Sequence, residues 1–171
     1  MLNPVKRIAV FIDADNVSYK HFQRVLREAR SMGEPTIIHA YGNSPVVKKW
    51  VTAGAGIHVV ERPTQAGTRS RNSADISLII EAVDRANEYD HLCLVTSDAD
   101  FTLLAKHLRN KGKAVTVFGG SKTKKCLRRA VTKFVNLEVP SRVQTASSPP
   151  RRSLSEKRAA NDDGVGQSPV A

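Results

Sequence analysis

The 171-residue chain has few of the features that mark secreted, membrane-bound or disulfide-stabilised proteins. No segment approaches the roughly 18 apolar residues of a membrane span, and the apolar run Ile8–Ile12 near the N-terminus is short. Cys93 and Cys126 have neither CxxC spacing nor a histidine cluster beside them, so we interpret both as free thiols and neither as a metal ligand. These absences predict a soluble, unexported protein of the reducing cytoplasm that does not contact a membrane.

Acidic residues are missing from one long stretch of the sequence. Between Phe101 and Leu137 there are ten lysines or arginines and no aspartate or glutamate. The formal net charge is +11; the segment from Ser141 onward has five basic and three acidic residues, so the part before it carries about +9 (11 − 2 = 9). A basic excess attracts polyanions, and without an amphipathic helix that exposes Trp, Phe or Leu we expect nucleic acid as the partner.

The composition changes near residue 140 and predicts one domain with a tail. Residues 1–140 have enough apolar side chains for one sizeable core, and we assign them to a single domain. Residues 141–171 are rich in Ser, Pro, Arg, Asp and Gly and have no apolar periodicity. Such a segment cannot bury enough surface to offset its ordering entropy, so we expect a disordered tail.

Apolar runs rich in β-branched residues alternate with stretches that suit helices. The predicted strands are Ile8–Ile12, Thr36–Tyr41, Ile57–Val60, His91–Thr96, Ala114–Phe118 and Lys133–Leu137. Near-continuous apolar strands suit a parallel sheet covered on both faces, which predicts an α/β fold: a doubly wound, three-layer Rossmann-like sandwich with a mostly parallel sheet. In that fold the active site lies at the carboxyl ends of the strands, near the point where strand order reverses.

Helix-start signals are present at three places between these strands. Ser44 is expected to be an N-cap before Pro45, and Ser73 is expected to begin a helix that runs to about Asn87. Asp100 is a candidate cap for a helix over residues 101–110. These helices would cover the faces of the sheet.

Aspartates stand directly after two of the predicted buried strands. Asp13 follows AVFI, and Asp98 and Asp100 follow CLVTS, so the fold should bring them together at one edge of the sheet. Turn formation and helix capping are the alternative explanation for an aspartate at such a position. Asp75 shares a predicted helix face with Ile79 and Ala82 and should point toward the sheet, although a structural role at a helix N-terminus is also open.

Four carboxylates at one place would need protons or a cation. At an effective dielectric constant of 20, each like-charge pair about 4 Å apart costs roughly 4 kcal/mol. Hard oxygen ligands select Mg²⁺ or Mn²⁺ over zinc. Asp13, Asp75, Asp98 and Asp100 are therefore candidate metal ligands, and such an ion can orient a phosphodiester and lower the pKa of an attacking water.

Phosphate binding is expected from basic residues near these acids. Arg69 and Arg71 precede Asp75, and the acid-free stretch adds further candidates. From that stretch we select Lys122, Lys124, Lys125 and Arg128. Aromatic residues are only 5% of the chain, so base stacking should be minor, with Tyr41 and Trp50 as the candidates, and sequence preference should be weak.

Three acidic blocks in order carry a family resemblance. VFIDADN at 10–16, RNSADISLIIEAVD at 71–84 and LVTSDADF at 94–101 resemble the acidic blocks of NYN domains, a PIN-like nuclease group, and KAVTVFGG at 113–120 with KFVNLE at 133–138 is similar to the end of that domain. The resemblance implies a Rossmann-like sheet and metal-dependent cleavage of RNA, with metal-coordinating acids at the positions of Asp13, Asp75, Asp98 and Asp100. It also implies that Asn16 and Thr96 position a phosphate or a metal-bound water. Arg71 departs from the family, since many relatives have Lys there.

Two other functions remain open at the level of sequence. FIDADNV also matches the first motif of haloacid dehalogenase phosphatases, but the later acid of that family has no counterpart between Asp100 and Glu138. A PIN-like module that binds RNA or protein without turnover is the second alternative. The sequence leaves open the RNA substrate, endo- or exonucleolytic cutting, one or two metal ions, and whether the chain forms a homo-oligomer.

Overall fold

A computed structural model describes residues 4–54, 58–61 and 73–139 of the chain. Over these residues strands and α-helices alternate. The strands are β1 (Arg7–Asp13), β2 (Glu34–Gly42), β3 (His58–Glu61), β4 (His91–Val95), β5 (Ala114–Gly119) and β6 (Lys133–Asn136). The helices are α1 (Phe22–Arg30), α2 (Ser44–Ala53), α3 (Ser73–Asp84), α4 (Thr102–Asn110) and α5 (Lys125–Ala130). Short 3₁₀ turns at Tyr19–His21 and Ala99–Phe101 precede α1 and α4.

The six strands form one sheet in the order β3-β2-β1-β4-β5-β6, and every neighbouring pair is parallel. The chain first builds outward from β1 to β3 and then returns to place β4 on the other side of β1. Strand order therefore reverses between β1 and β4, which is where a doubly wound sheet opens a crevice. The predicted α/β fold is confirmed.

Two apolar clusters cover the two faces of this sheet. On one face, α3, α4 and α5 pack through residues such as Leu78, Leu108 and Leu127. On the other face, α1 and α2 pack through Phe22 and Trp50. Residues of the central strands alternate between the two clusters because successive side chains of a strand point to opposite faces, and this arrangement produces the predicted three layers.

The ends of two helices differ from their predicted positions. Asn43, rather than Ser44, is the N-cap of α2, so Ser44 and Pro45 lie in its first turn. α3 ends at Asp84 instead of continuing to about Asn87. The Tyr89 hydroxyl donates a hydrogen bond to the carbonyl of Ala82, and the Ala86 N–H bonds the Val83 carbonyl at 3.2 Å. In a continuing α-helix the Ala86 N–H would bond the Ala82 carbonyl, so the helical hydrogen-bond pattern stops at this point.

Several other expectations concern cysteines, membranes and segments beyond the described ranges. Cys93 is buried in β4 and Cys126 is exposed on α5, and both are free thiols as predicted. Within the described ranges no helix is long and apolar enough to cross a membrane. Arg69, Arg71 and the predicted tail at 141–171 lie outside the described residues.

Candidate active site

The carboxyl ends of β1 and β4 position the acidic residues. Asp13 is the last residue of β1, and Thr96 and Asp98 follow β4. The two strands pair in parallel as far as Ile12 and Val95, so both chain segments leave the sheet at the same edge. The structure thus places Asp13 and Asp98 at the reversal of strand order, where the two central strands, buried on both faces, lie side by side.

Asp13 lies in an enclosed position for a carboxylate. Its side chain is only 2% exposed. The Oδ2 atom accepts one hydrogen bond from the Thr96 hydroxyl at 2.7 Å and one from the Asn16 amide at 2.6 Å. Within the described ranges no donor contacts its other oxygen, Oδ1. Thr96 and Asn16 therefore fix the orientation of the carboxylate and leave Oδ1 for another partner.

Burial raises the pKa of Asp13 from 3.8 to about 6. The hydrogen bonds from Thr96 and Asn16 act against this shift, whereas the charges of Asp75 and Asp15 add to it. Loss of water outweighs the hydrogen bonds because an ionised carboxylate is better solvated in water than by two donors. The negative charge of Asp13 at neutral pH is consequently energetically unfavourable in the folded protein.

Asp98 is linked to Asp13 through Thr96. The backbone N–H of Asp98 donates to the Thr96 hydroxyl at 3.0 Å, and that hydroxyl donates onward to Asp13. The Asp98 carboxylate is the N-cap of the turn Ala99–Phe101, since its Oδ1 accepts from the N–H of Asp100 at 3.0 Å. Our expectation that Asp100 is the cap was therefore wrong. The 3₁₀ turn that precedes α4 moves the cap two residues toward the N-terminus.

Asp75 lies in the first turn of α3, beside the apolar face of that helix. The buried stripe of α3 consists of Ala74, Leu78 and Ala82, so Asp75 lies one position off the stripe and is half-buried. Ile79 and Ala82, which were predicted to share a face with Asp75, both pack in the core on this side of the sheet, so Asp75 lies at the border of the buried face. After burial, which is the main cause, the charge of Asp75 adds to the raised pKa of Asp13. Asp100, by contrast, is exposed.

Asp15 is an acidic residue at this edge that the sequence reasoning did not select. It is exposed and its charge raises the pKa of Asp13. Its Oδ1 atom accepts from the Asn43 side chain at 3.1 Å and from the Asn43 backbone at 3.3 Å. The sequence feature that could have identified Asp15 was the aspartate at alternate positions, Asp13 and Asp15.

Over the described ranges, no three Asp, Glu, His or Cys side chains lie together in a group that could hold a metal ion.

Part of the acid-free stretch, around α5, lies next to the acidic edge, whereas Lys111, Lys113 and Lys133 lie at the amino ends of β5 and β6. α5 packs against α4 and against the turn Ala99–Phe101. Lys122, Lys124 and Lys125 are exposed there. Arg128 is half-buried instead: it donates to the Ser121 carbonyl at 2.6 Å and its guanidinium lies 4.5 Å from the centre of the Phe134 ring.

The two aromatic residues named for base stacking are buried. Tyr41 is 1% exposed and Trp50 is 0% exposed. Tyr41 packs against Phe11 and donates to Glu81, and Trp50 packs against Phe22 between α1 and α2. Neither ring can contact a nucleobase, so that expectation was wrong. Large aromatic side chains on strands and helices pack in the core because they bury a large apolar surface there.

The fold and the acidic edge define a class, namely doubly wound α/β proteins with carboxylates where strand order reverses. The NYN domain model matches residues 7–138, and the chain belongs to the NYN domain family. This confirms the resemblance. NYN domains are part of the PIN-like nuclease superfamily, whose members are generally nucleases.

A solved structure supports the fold independently. A crystal structure of a protein of unknown function from Vibrio parahaemolyticus is similar, with a TM-score of 0.62 and 22% sequence identity, covering 80% of this chain and 96% of that chain. At this identity the likeness shows the fold alone. None of the curated proteins matches the chain.

Proposed function

We propose that this protein is a ribonuclease that hydrolyses RNA phosphodiester bonds with a divalent cation, Mg²⁺ or Mn²⁺. The observation that carries the proposal is the Asp13 carboxylate, which is 2% exposed at the reversal of strand order with its pKa raised to about 6. An amide at this position would cost less to bury. A carboxylate placed so unfavourably indicates a function that uses its charge.

The chemistry of the donor set fits a hard cation. Asp13, Asp75, Asp98 and Asp100 are the candidate ligands, and carboxylate oxygens are what Mg²⁺ and Mn²⁺ prefer. No three of them lie together in the described residues, so the proposal rests first on Asp13 and Asp98, which Thr96 links. The Oδ1 atom of Asp13 has no hydrogen-bond donor in the described part of the chain. A bound cation would orient the scissile phosphate and make an attacking water more acidic.

The remaining polar residues have supporting roles. Thr96 and Asn16 hold Asp13 through Oδ2 and so direct Oδ1 toward the ligand side. The Thr96 hydroxyl also accepts from the backbone of Asp98, so one side chain positions two of the acids relative to each other. Thr96 is itself fully buried, which limits its rotation. We assign Thr96 and Asn16 as positioning residues.

In this proposal, exposed lysines in the loop before α5 and in the first turn of α5 bind the RNA. α5 begins at Lys125 and packs against the turn Ala99–Phe101, so in this proposal a phosphate backbone passes from Lys122, Lys124 and Lys125 to the acids. Arg128 supports this loop through its contact with Ser121 instead of facing solvent fully. Arg69 and Arg71 remain candidate phosphate ligands by sequence.

The decisive experiment is an RNA cleavage assay. The purified protein is incubated with mixed single-stranded and structured RNAs in Mg²⁺, in Mn²⁺ or in EDTA, beside Asp98→Asn and a surface control, Asp84→Asn. We expect cutting by the wild type and the control with either cation, and none in EDTA. If wild-type protein binds RNA but leaves every RNA intact in Mn²⁺, or if Asp98→Asn cuts as fast as wild type, the protein is a binding module instead.

A further inference from the structure

A cleft of about 200 Å³ opens beside Asp13 at the carboxyl edge of the sheet. Its polar lining comes from loops that follow four strands, β1, β4, β5 and β6. These polar residues are Asn16, Ser18, His21, Ser97, Gly120 and Glu138. Asn16 joins the cleft to the acidic site, because its amide donates to the Asp13 carboxylate. A group bound in the cleft would therefore be separated from the Asp13 carboxylate by the Asn16 side chain alone.

Glu138 is the unusual member of this lining. It is the first acidic residue after Asp100 and follows the stretch that contains ten lysines and arginines. Lys122 and His21 both act electrostatically on it. A carboxylate repels phosphates, so its presence on a surface that binds RNA weakens general binding. A carboxylate is useful there if it accepts hydrogen bonds from a hydroxyl or amino group of the substrate.

The protein holds the Glu138 side chain in place. Its Oε2 atom accepts from the Ser121 backbone N–H at 3.0 Å, and its own N–H donates to Asn136 Oδ1 at 2.9 Å. Arg24 donates to the carbonyls of Leu137 and Val139 on either side of it. The hydrogen bonds from Ser121 lower the pKa of Glu138, which keeps the carboxylate ionised. Glu138 is exposed, so its carboxylate is accessible to a ligand, while Ser121 holds one of its oxygens and Asn136 and Arg24 hold the backbone around it.

Gly120 makes room for the other carboxylate oxygen. A Cβ atom at Gly120 would lie 2.7 Å from Glu138 Oε1. The Oε1 atom thus lies against another wall of the cleft. Any side chain at position 120 would push the carboxylate away while leaving its charge intact.

We propose that this cleft binds the sugar of a nucleotide next to the scissile phosphate and that Glu138 accepts a hydrogen bond from the ribose 2′-hydroxyl. This inference rests on the proposed function, because it requires that RNA is the substrate. The lining contains no Phe, Tyr or Trp, and apart from the His21 ring it offers hydrogen-bond partners for a ribose hydroxyl instead of an aromatic surface for a base. The volume also suits one sugar ring better than a longer segment of RNA. Glu138 would then make the enzyme select RNA over DNA.

A binding experiment without turnover tests the contact. Affinities for a short single-stranded RNA and for the same oligonucleotide with 2′-fluoro sugars are compared by fluorescence anisotropy in EDTA at low ionic strength. Fluorine keeps the sugar pucker of RNA but removes the hydroxyl donor. We expect wild type to prefer the 2′-hydroxyl form by about tenfold, the order of effect of one hydrogen bond to a charged group. Glu138→Ala and Gly120→Ala should both reduce this ratio to near one.

Matched controls separate recognition from charge. Glu34→Ala removes an exposed glutamate at the opposite, amino edge of the sheet and should keep the wild-type ratio. Gly120→Ala keeps the charge, so its loss of preference would depend on the position of the carboxylate. Circular dichroism checks that each variant is folded. A ratio near one in wild type, or an unchanged ratio in both Glu138→Ala and Gly120→Ala, overturns the proposal.

A cleavage experiment locates the contact along the RNA. Single 2′-fluoro substitutions are placed in turn around a mapped cut site, and the wild-type protein should be slowed at one nucleotide only, by about tenfold. Slowing of equal size at every position would indicate a general preference for RNA geometry and overturn the sugar-binding cleft. If wild type cuts no RNA but shows the binding ratio, the proposed function fails and the cleft stands. If wild type cuts RNA but binds the 2′-hydroxyl and 2′-fluoro forms equally, the proposed function stands and the sugar-binding cleft fails.

Discussion

Replacement of Asp13 by asparagine should stabilise the metal-free protein at neutral and alkaline pH. The folded protein raises the pKa of Asp13 from 3.8 to about 6, so ionising this carboxylate costs about 3 kcal/mol of folding free energy at 1.36 kcal/mol per tenfold change in proton affinity. Asparagine carries no charge, and its carbonyl can still accept from Thr96 and Asn16. The Asp13→Asn variant avoids this cost.

The sign of the pH dependence follows from the direction of this shift. Between about pH 4 and pH 6 the folded state binds more protons at Asp13 than the unfolded state does. The contribution of Asp13 to stability is therefore most favourable below pH 4, falls as the pH rises through this window, and stays low above about pH 6. The advantage of Asp13→Asn over wild type should grow over the same window and then stop changing.

Urea unfolding in EDTA at a series of pH values from 4 to 8 measures this difference. The matched control is Asp84→Asn, which makes the same change at an exposed position on α3 and should follow the wild-type curve. We expect Asp13→Asn to gain up to about 3 kcal/mol over wild type at pH 8 and little at pH 4. An Asp13→Asn protein that is less stable than wild type at pH 8, or a difference independent of pH, would refute the reasoning.

The remaining predictions concern the cation, the lysines and the chemistry. Saturating Mn²⁺ should raise the melting temperature of wild type relative to EDTA, by the equivalent of about 2.7 kcal/mol at one hundred times the dissociation constant, and Asp98→Asn should shrink this rise; an equal rise in both would place the ion elsewhere. Lys124→Ala with Lys125→Ala should increase the RNA concentration for half-maximal cutting and flatten its salt dependence while saturated turnover changes little, whereas the exposed α2 pair Lys48→Ala with Lys49→Ala should do neither. Asp13→Asn, Asp98→Asn and the double variant should fall to a similar residual rate, because the acids act as one unit; additive losses would contradict this. The products should have 5′-phosphate and 3′-hydroxyl ends, since an external water attacks in line, and a cyclic phosphate end would instead indicate attack by the ribose hydroxyl.

Asp98 combines a helix-capping contact with its proposed role as a metal ligand. The sequence made Asp100 the candidate cap, a role that would occupy its carboxylate. The structure shows Asp98 as the cap, with one oxygen accepting from the Asp100 N–H. Capping and metal binding are compatible, because a carboxylate has two oxygens, and the cap fixes the orientation of the second one. Asp98 is therefore still the better candidate for a rigid ligand.

Much of the fold could be predicted because it depends on local patterns. Each buried strand is an apolar run of a few residues bounded by polar ones, so β1 and β4 were recognisable without their partners. The order of the acidic blocks then identified the family, and strand polarity placed Asp13 and Asp98 at one edge. These inferences require only the amino-acid sequence and the rule that connections between parallel strands are right-handed.

Tertiary structure decided what depends on partners distant in sequence. The burial of Tyr41 and Trp50, the end of α3 at the Tyr89 contact, and the raised pKa of Asp13 all arise from residues brought together by folding. Glu138 lies far along the chain from Asn16 and shares a cleft with it only because the carboxyl ends of β1 and β6 meet the same edge. Composition and periodicity report which side chains are apolar, but solvation and charge coupling depend on which of them become neighbours, and the packing of the sheet determines that.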